Sequence, residues 1–469
     1  MKKGRQFQPT SPPPALHRDQ PNPGPRHSPP TSHRDLPFEV VQSILLKLDI
    51  KTLLRSKISC KSWWGGISEA YFRNQYLSPK DGILTVAGFE PDLTDASDIV
   101  SDSTWIMPQR NVEWIEIEDN TDHHIVHDGV ALLEMDRFRL FRSTYPIPIH
   151  SENGLVLFVD EHNARHAFLF ICNPITKECM TFPTPPPAAP RPPDHSIFSS
   201  NYPNGYGFGR NIEDGAYRVL MICGPQAAVY TLGSGQWVIN TQNMRCTLYE
   251  STGITVGNGI HWLIRAVEME DKDGKENEFE MENEVDTADG DEAEAEARVL
   301  RICRFDLNSQ TFELMECIGV HPRPDDGDPM LGVLNKNLCI CFSTRRDDAE
   351  DNEESHLSVW VMTESDGIRA WRLYIHVQGE QWIEGSMIKS LADGDHVMIG
   401  SSVNLVRGSG CAHWTGAIRK ILVYNTPTNS FVSEWRLNRN MMGGVCYRPS
   451  LFSIKHNFEA ESERVFHLS

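Results

Sequence analysis

A short pattern repeats along this chain and restricts its fold more than any other feature. An aromatic residue or Cys precedes a turn residue, and another aromatic residue or Cys follows that turn residue six positions later. Cys172–Asn173 leads to Cys179, Tyr230–Thr231 to Trp237, Phe305–Asp306 to Phe312, and Tyr424–Asn425 to Phe431. Trp360–Val361 leads to Trp371 through a longer loop carrying Asp366–Gly367. From Asp81 onward, short runs rich in Val, Ile, Leu, Phe, Tyr and Trp alternate with Gly, Pro, Asn and Asp, as strands alternate with turns. Each instance reads as two strands joined by a short turn. A second element lies upstream of some of them: Asn153–Gly154 opens Leu155 to Phe158, Asn258–Gly259 opens Ile260 to Ile264, and Gly332 to Phe342 is a degraded third copy.

Successive hairpins stand 58, 75, 55 and 64 residues apart. Without a 30-residue acidic tract, 268–297, the 75 becomes 45. That range suits one four-stranded propeller blade of roughly 40–50 residues plus variable loops. The expectation is an all-β propeller over 146–455, whose radial repetition protects its strand edges. The acidic tract is then a disordered loop inside one blade, tolerable because closure entropy grows only logarithmically with length. Residues 347–354 are a smaller acidic loop, 79–145 a linker or outer blade, and 456–469 a C-terminal tail.

Residues 35–78 have a different period. Asp35 is a candidate N-cap, and Pro37 suits the first turn. Phe38, Val41, Ile44, Leu45 and Leu48 fall at helical spacing. Asp49 and Ile50 make a break, then Leu53, Leu54 and Ile58 mark a second helix, and Trp63, Trp64 and Ile67 a third that Gly65 and Gly66 could fray. A unit of about 40 residues usually needs a metal, a disulfide or a partner. This one offers neither of the first two, so its surplus of Leu, Ile and Trp predicts a face completed by something else.

Charge and cysteine bound the function classes. The net charge is -20, but 268–297 alone holds 15 Asp or Glu against two Lys. The remainder has no basic stripe, which argues against nucleic acid. The 11 cysteines are scattered without the paired spacing of a zinc site. Together with an N-terminus lacking an apolar signal region and the absence of a long apolar run, this predicts a reduced cytoplasmic or nuclear compartment and no membrane. Residues 1–34, rich in Pro, Ser, Arg and His, read as a disordered tail.

The helical segment resembles the F-box. It carries Leu36–Pro37, Glu39, Ile44–Leu45, Leu48, Leu53–Leu54–Arg55 and Cys60–Lys61–Ser62–Trp63 in the family's order and spacing. It departs at Ser59, where the family usually has an apolar Val. The remainder is similar to the F-box-associated domain of many plant proteins, through Ser151 to Val156, Cys172 to Lys177, Tyr206 to Gly209, Gly259 to Trp262 and Leu357 to Met362. The resemblance implies an α+β multidomain chain: a small three-helix F-box followed by an all-β, kelch-like β-propeller. It further implies a non-catalytic substrate receptor of an SCF-type ubiquitin ligase, without a cofactor. The F-box would dock on a Skp-type adaptor, and through it on cullin and a RING subunit, while the β domain holds an unidentified target protein. By the same resemblance Leu36, Pro37, Ile44, Leu45, Leu48, Leu53, Leu54 and Trp63 are candidates for the adaptor face or its support, some of them forming the unit's own core. The alternative is a non-ligase scaffold with a degraded or adaptor-only F-box; an enzyme on a propeller has no supporting site.

His123, His124 and His127 space like metal ligands but lie in a loop-like stretch without an intervening Glu. Cys339 and Cys341 share one face of a strand and read as buried hydrophobes rather than half a metal site. Asp271 to Gly274 fails the calcium-loop template because its glycine comes at the fourth position, not the sixth. The six Trp from Trp237 to Trp414 read as blade packing, with a binding surface as the other option.

Overall fold

The computed structural model describes residues 37–80, 82–87, 111–118, 125–126, 130–134, 146–163, 166–183, 205–223, 226–240, 246–248, 252–267, 300–320, 329–343, 356–365, 368–378, 385–390, 396–403, 417–458 and 465–467. Leu36, Asp35, the His123–His127 cluster, the acidic tract 268–297 and residues 347–354 lie outside them.

Four helices come first: α1 (Phe38–Leu45), α2 (Ile50–Lys57), α3 (Lys61–Ser68) and α4 (Ala70–Gln75). Three were expected, and the fourth short one completes the unit. α1 starts directly after Pro37, which occupies the N-cap position. The Asp49 break is a helix start: its carboxylate accepts from the Thr52 amide at 2.9 Å and the Thr52 hydroxyl at 2.7 Å. Cys60 caps α3 through a bond from the Trp63 amide to its sulfur. Gly65 and Gly66 do not fray α3, because Gly66 is buried and the helix runs through both.

Strands follow. β1 (Gly82–Ala87), β2 (Asn111–Glu118), β3 (Ile125–Val126) and β4 (Val130–Glu134) come from the segment read as linker or outer blade. The first full blade is β5 (Pro146–Glu152), β6 (Leu155–Asn163), β7 (His166–Asn173) and β8 (Glu178–Thr181). The second is β9 (Gly205–Arg210), β10 (Tyr217–Cys223), β11 (Gln226–Thr231) and β12 (Trp237–Asn240). The third has β13 (Cys246–Leu248) and β14 (Ile254–Val256) against β15 (Gly259–Val267), then β16 (Arg301–Asp306) and β17 (Phe312–Glu316). β18 (Met330–Leu334), β19 (Asn337–Ser343), β20 (His356–Ser365) and β21 (Ile368–Gln378) form the fourth. β22 (Gly385–Ser390), β23 (His396–Val403), β24 (Ala417–Asn425) and β25 (Ser430–Tyr447) form the fifth. This is a five-bladed propeller, and β1 to β4 attach to it through the C-terminal half of β25, where Gly82 pairs with Tyr447 and Leu84 with Val445.

The recurrent pattern in the sequence is the outer hairpin of each blade. Cys172 stands opposite Cys179, Tyr230 opposite Trp237, Phe305 opposite Phe312 and Tyr424 opposite Phe431. Three of these pairs bring their rings to 5.2, 4.9 and 5.1 Å between centroids. In the fourth blade Trp371 faces Met362 rather than Trp360, across a register shift between Val359 and Trp360. The upstream element is a two-residue hairpin turn. Asn153 and Gly154 have φ of 50° and 79°, and Asn335 and Lys336 have 49° and 64°, the left-handed pairs that such turns require.

Period-2 alternation explains why the blades stack. On β6, Leu155, Leu157 and Val159 enter the core between the first and second blades. Val156 and Phe158 enter a core on the opposite face. On β10, Val219 and Met221 join the former, while Leu220 and Ile222 join a core shared with Trp262 and Phe305 of the third blade. On β19, Cys339 and Cys341 face the fifth blade, whereas Leu338, Ile340 and Phe342 face the third. Strands buried on both faces read as continuous apolar runs, and each run serves two interfaces.

The described residues within the segment assigned to a C-terminal tail, 456–458 and 465–467, are part of the fold. α5 (Ile454–Asn457) packs on β8, and β26 (Val465–His467) pairs with β8 as the outermost strand of the first blade. Sequence alone hides this because three residues carry no periodicity.

Candidate functional site

The four helices do not form a separate globule. Leu45, Ile50, Leu53, Ile67, Phe72 and Tyr76 share one core with Leu84, Val112, Trp114 and Leu133 of β1, β2 and β4. Val156, Phe158, Phe170 and Cys172 of the first blade complete that core, together with Val445 and Tyr447 of β25. The unit that looked too small to stand alone finishes its interior against the propeller.

Residues 448–458 fasten this seam. The Ser78 amide donates to the Pro449 carbonyl at 2.8 Å, and Arg73 Nε donates to the Leu451 carbonyl at 3.1 Å. Asn74 and Asn457 exchange amide hydrogen bonds at 3.0 and 2.9 Å. On the propeller side, buried Asn173 uses both ends of its amide. Its Nδ2 donates to the Ser450 and Phe452 carbonyls at 3.2 and 2.8 Å, and its Oδ1 accepts from the Ile175 and Thr176 amides. Buried Glu178 accepts from Ser453 Oγ at 3.0 and 2.9 Å and lies 3.7 Å from the Arg73 guanidinium. A side chain on Gly154 would collide with Ser450, so the β5–β6 turn needs glycine for close approach as well as for its φ.

With one face of the helices spent on this core, the other carries exposed apolar residues. They are Val40 and Ile44 on α1, Leu54 on α2 with Ile58 just after it, Trp64 on α3 and Tyr71 on α4. Ile58 is 83% exposed and Trp64 57%, unusual for such side chains. Of the eight residues singled out from sequence, Pro37, Ile44 and Leu54 lie on this outer face. Leu45 and Leu53 are buried in the shared core, and Leu48 and Trp63 are partly buried against it. Val40, Ile58, Trp64 and Tyr71 were missed. A helical wheel separates the two tryptophans: Trp63 stands four residues before buried Ile67, and Trp64 is turned one position away.

The electrostatics are cationic. Residues 37–80 hold seven Lys or Arg against three Asp or Glu in a chain of net charge -20. The Lys51 ammonium lies 5.7 Å from the Trp114 ring centre across the seam, and that of Lys57 lies 5.7 Å from the Trp64 ring. Partial burial and neighbouring Arg73 hold the Lys57 amine below its usual range. Partial burial works against the Asp49 carboxylate, yet its Thr52 bonds keep it below the usual range. The Ser62 hydroxyl and the Trp63 amide lower the Cys60 thiol.

The propeller's own candidates resolve mostly into packing. Trp262 is buried and donates through Nε1 to the Tyr206 carbonyl at 3.2 Å. Trp237 is half-buried and donates to the Pro183 carbonyl at 2.8 Å. Trp360 and Trp371 pack on the core between the third and fourth blades. Trp382 and Trp414 lie outside the described residues. Cys339 is buried in an apolar core that pushes its thiol up to about 12. Among the described residues no group of three or more His, Cys, Asp or Glu is placed to hold a metal ion, and no helix is long and apolar enough to cross a membrane.

Residues 34–63 match the family model of the F-box domain. The chain is 22% identical over 250 residues to an Arabidopsis thaliana protein described as a putative F-box protein, spanning 50% of this chain and 71% of that one. It is also 22% identical over 244 residues to the Arabidopsis protein "Putative F-box only protein 15", spanning 49% of this chain and 53% of that one. Among solved structures, the nidogen/laminin complex aligns over 78% of this chain and 98% of its own with a TM-score of 0.38 and 7% identity. The propeller assignment rests on the strand pairing, not on that likeness. The chain carries an F-box domain and is similar to plant F-box proteins, and F-box domains bind Skp-type adaptors in SCF complexes.

Proposed function

We propose that this chain is the substrate-receptor subunit of an SCF-type ubiquitin ligase. Its F-box docks on a Skp-type adaptor, which brings cullin and a RING subunit, and its propeller holds the target protein. The observation that carries this reading is an F-box whose inner face is welded into the propeller core while its outer face presents Val40, Ile44, Leu54, Ile58 and Trp64. Pro37 borders that face, and Leu45, Leu48, Leu53 and Trp63 support it from within. The chain's contribution is geometric. A rigid seam holds the target at a constant distance from the conjugating enzyme, so that lysine attack proceeds at high effective concentration. The role needs no nucleophile, general base or metal from this chain and fits the cytoplasm or nucleus.

The topology also suggests where the target sits. The seam fastens to the end of the propeller that carries the tight turns Asn153–Gly154 and Ile175–Lys177. The longer connections, between β15 and β16 and between β19 and β20 among them, leave from the other end. Blade-connecting loops vary without disturbing the blades and are suited to recognition.

The test is capture of the full chain by a Skp-type adaptor, followed by cullin. Ile44→Asp with Leu54→Asp should abolish capture while thermal unfolding stays that of the unmodified chain. Leu45→Asp would bury an unpaired charge and unfold the helices instead. An adaptor complex that excludes cullin would support the scaffold reading, for which exposed Ser59, at a usually apolar position, is the motivating residue.

A further inference from the structure

We infer that the F-box face of this chain selects a partner surface combining apolar pockets with carboxylates, and that charge steers the encounter. The inference rests on the adaptor-docking reading and adds the chemistry of the partner. Each outer stripe mixes an apolar residue with a cation. On α1, Val40 and Ile44 continue at helical spacing to Lys47. On α2, Leu54, Arg55 and Ile58 share one stripe. On α3, Lys61 and Trp64 stand three apart, and the Lys57 ammonium lies over the Trp64 ring.

Lys47, Arg55 and Lys61 are exposed, and among the described residues none of the three has an ion-pair partner. Among the described residues of the helical unit, the carboxylates that could answer them are few. Asp49 is engaged in capping α2, which leaves Glu39 and Glu69 in the whole unit. The cations are also not a by-product of a basic chain, because outside residues 37–80 acids outnumber bases. The inner faces of all three helices are buried in the seam, so these stripes point away from the propeller and toward whatever docks there. Phosphate alone would leave Leu54, Ile58 and Trp64 wet, whereas a protein surface with acidic and apolar groups satisfies both.

Rim charges act mainly on association rate and salt dependence, and apolar anchors on dissociation. The experiment measures association of the full chain with a Skp-type adaptor at about 50 mM and about 300 mM salt, for the unmodified chain and for Lys47→Gln/Arg55→Gln/Lys61→Gln. The expected result is an association rate that falls about tenfold across that range, and a triple variant that is about tenfold slower at low salt with little further salt dependence. Its dissociation rate should stay within about twofold. A complex whose rates ignore both salt and the three substitutions overturns the inference and leaves the adaptor reading standing. Absence of a complex at either salt overturns the adaptor reading itself. Preferential capture of a short RNA oligonucleotide by the same three cations overturns the choice of a protein partner.

Discussion

The propeller and the F-box helices solve the burial problem in opposite ways. The inner blade strands β6, β10 and β19 send alternate side chains into two neighbouring cores, so their apolar residues are consumed inside the ring, as Val219 and Leu220 are on β10. Apolar exposure among the described residues of the blade strands is confined to outer-hairpin strands, at residues such as Val238 and Leu314. Each of the first three helices buries one stripe and leaves another apolar stripe in solvent, ending in Ile58 at 83% exposure. The exposed residues are therefore not a failure of packing. They stand in the region that had the propeller available as a packing partner and used it for the other face.

The largest way to break this comparison is Trp262→Ala. It removes a buried indole shared by the second and third blades and leaves the Tyr206 carbonyl without that donor. Denaturant unfolding should register a loss of about 3–5 kcal/mol. Leu53→Ala should cost about 2–5 kcal/mol. Hydrogen exchange should report that loss in α1 to α4 and the seam strands, with the third and fourth blades protected as before; uniform loosening would mean that the helices and blades are one cooperative body.

Acid sharpens the contrast further. Burial pushes His150 on β5 and His261 on β15 down to about 4. Each contributes stability that is full above the ordinary value near 6.5 and is lost as pH falls toward 4, because the unfolded chain takes the proton first. Glu152 has the opposite sign: burial raises its carboxyl to about 7, against neighbouring Arg210, so it favours the fold as pH drops toward its ordinary value. His150→Leu keeps Glu152 and His261 and removes one sensor. Between pH 6.5 and 5 the unmodified chain should lose about 2 kcal/mol more than the variant, read from unfolding at each pH. The smallest stability effect is expected from Leu54→Ala and Ile58→Ala, within about 0.5 kcal/mol each by thermal unfolding. These two substitutions should nonetheless weaken adaptor capture, separating the outer stripe from the inner one.

Much of the propeller was legible because its signal is local. The pair Tyr230 and Trp237 is a register contact across a five-residue turn, so sequence spacing and spatial contact coincide. Asn153–Gly154 was legible because a left-handed pair restricts which residues can occupy it. The seam was not legible. Asn173 with Ser450 and Arg73 with Glu178 are partners far apart in the chain, and nothing in either local sequence names the other. The same reason divides the eight F-box candidates. Periodicity identified Leu45, Leu53, Ile44 and Leu54 as helical apolar positions, but which stripe faces inward depends on where Trp114 and Phe158 arrive.

The strand β26 and the strap at 448–458 have a consequence for how this protein is made. The first blade and the F-box are translated early, yet the outer strand of one and the fastening of the other come from residues synthesised hundreds of positions later. At about 5–20 residues per second, the nascent chain waits on the order of tens of seconds with that seam uncovered. A ribosome that stops before residue 448 releases a chain whose F-box keeps most of its shared core but lacks the strap bonds to Pro449, Leu451 and Asn457 that fasten it.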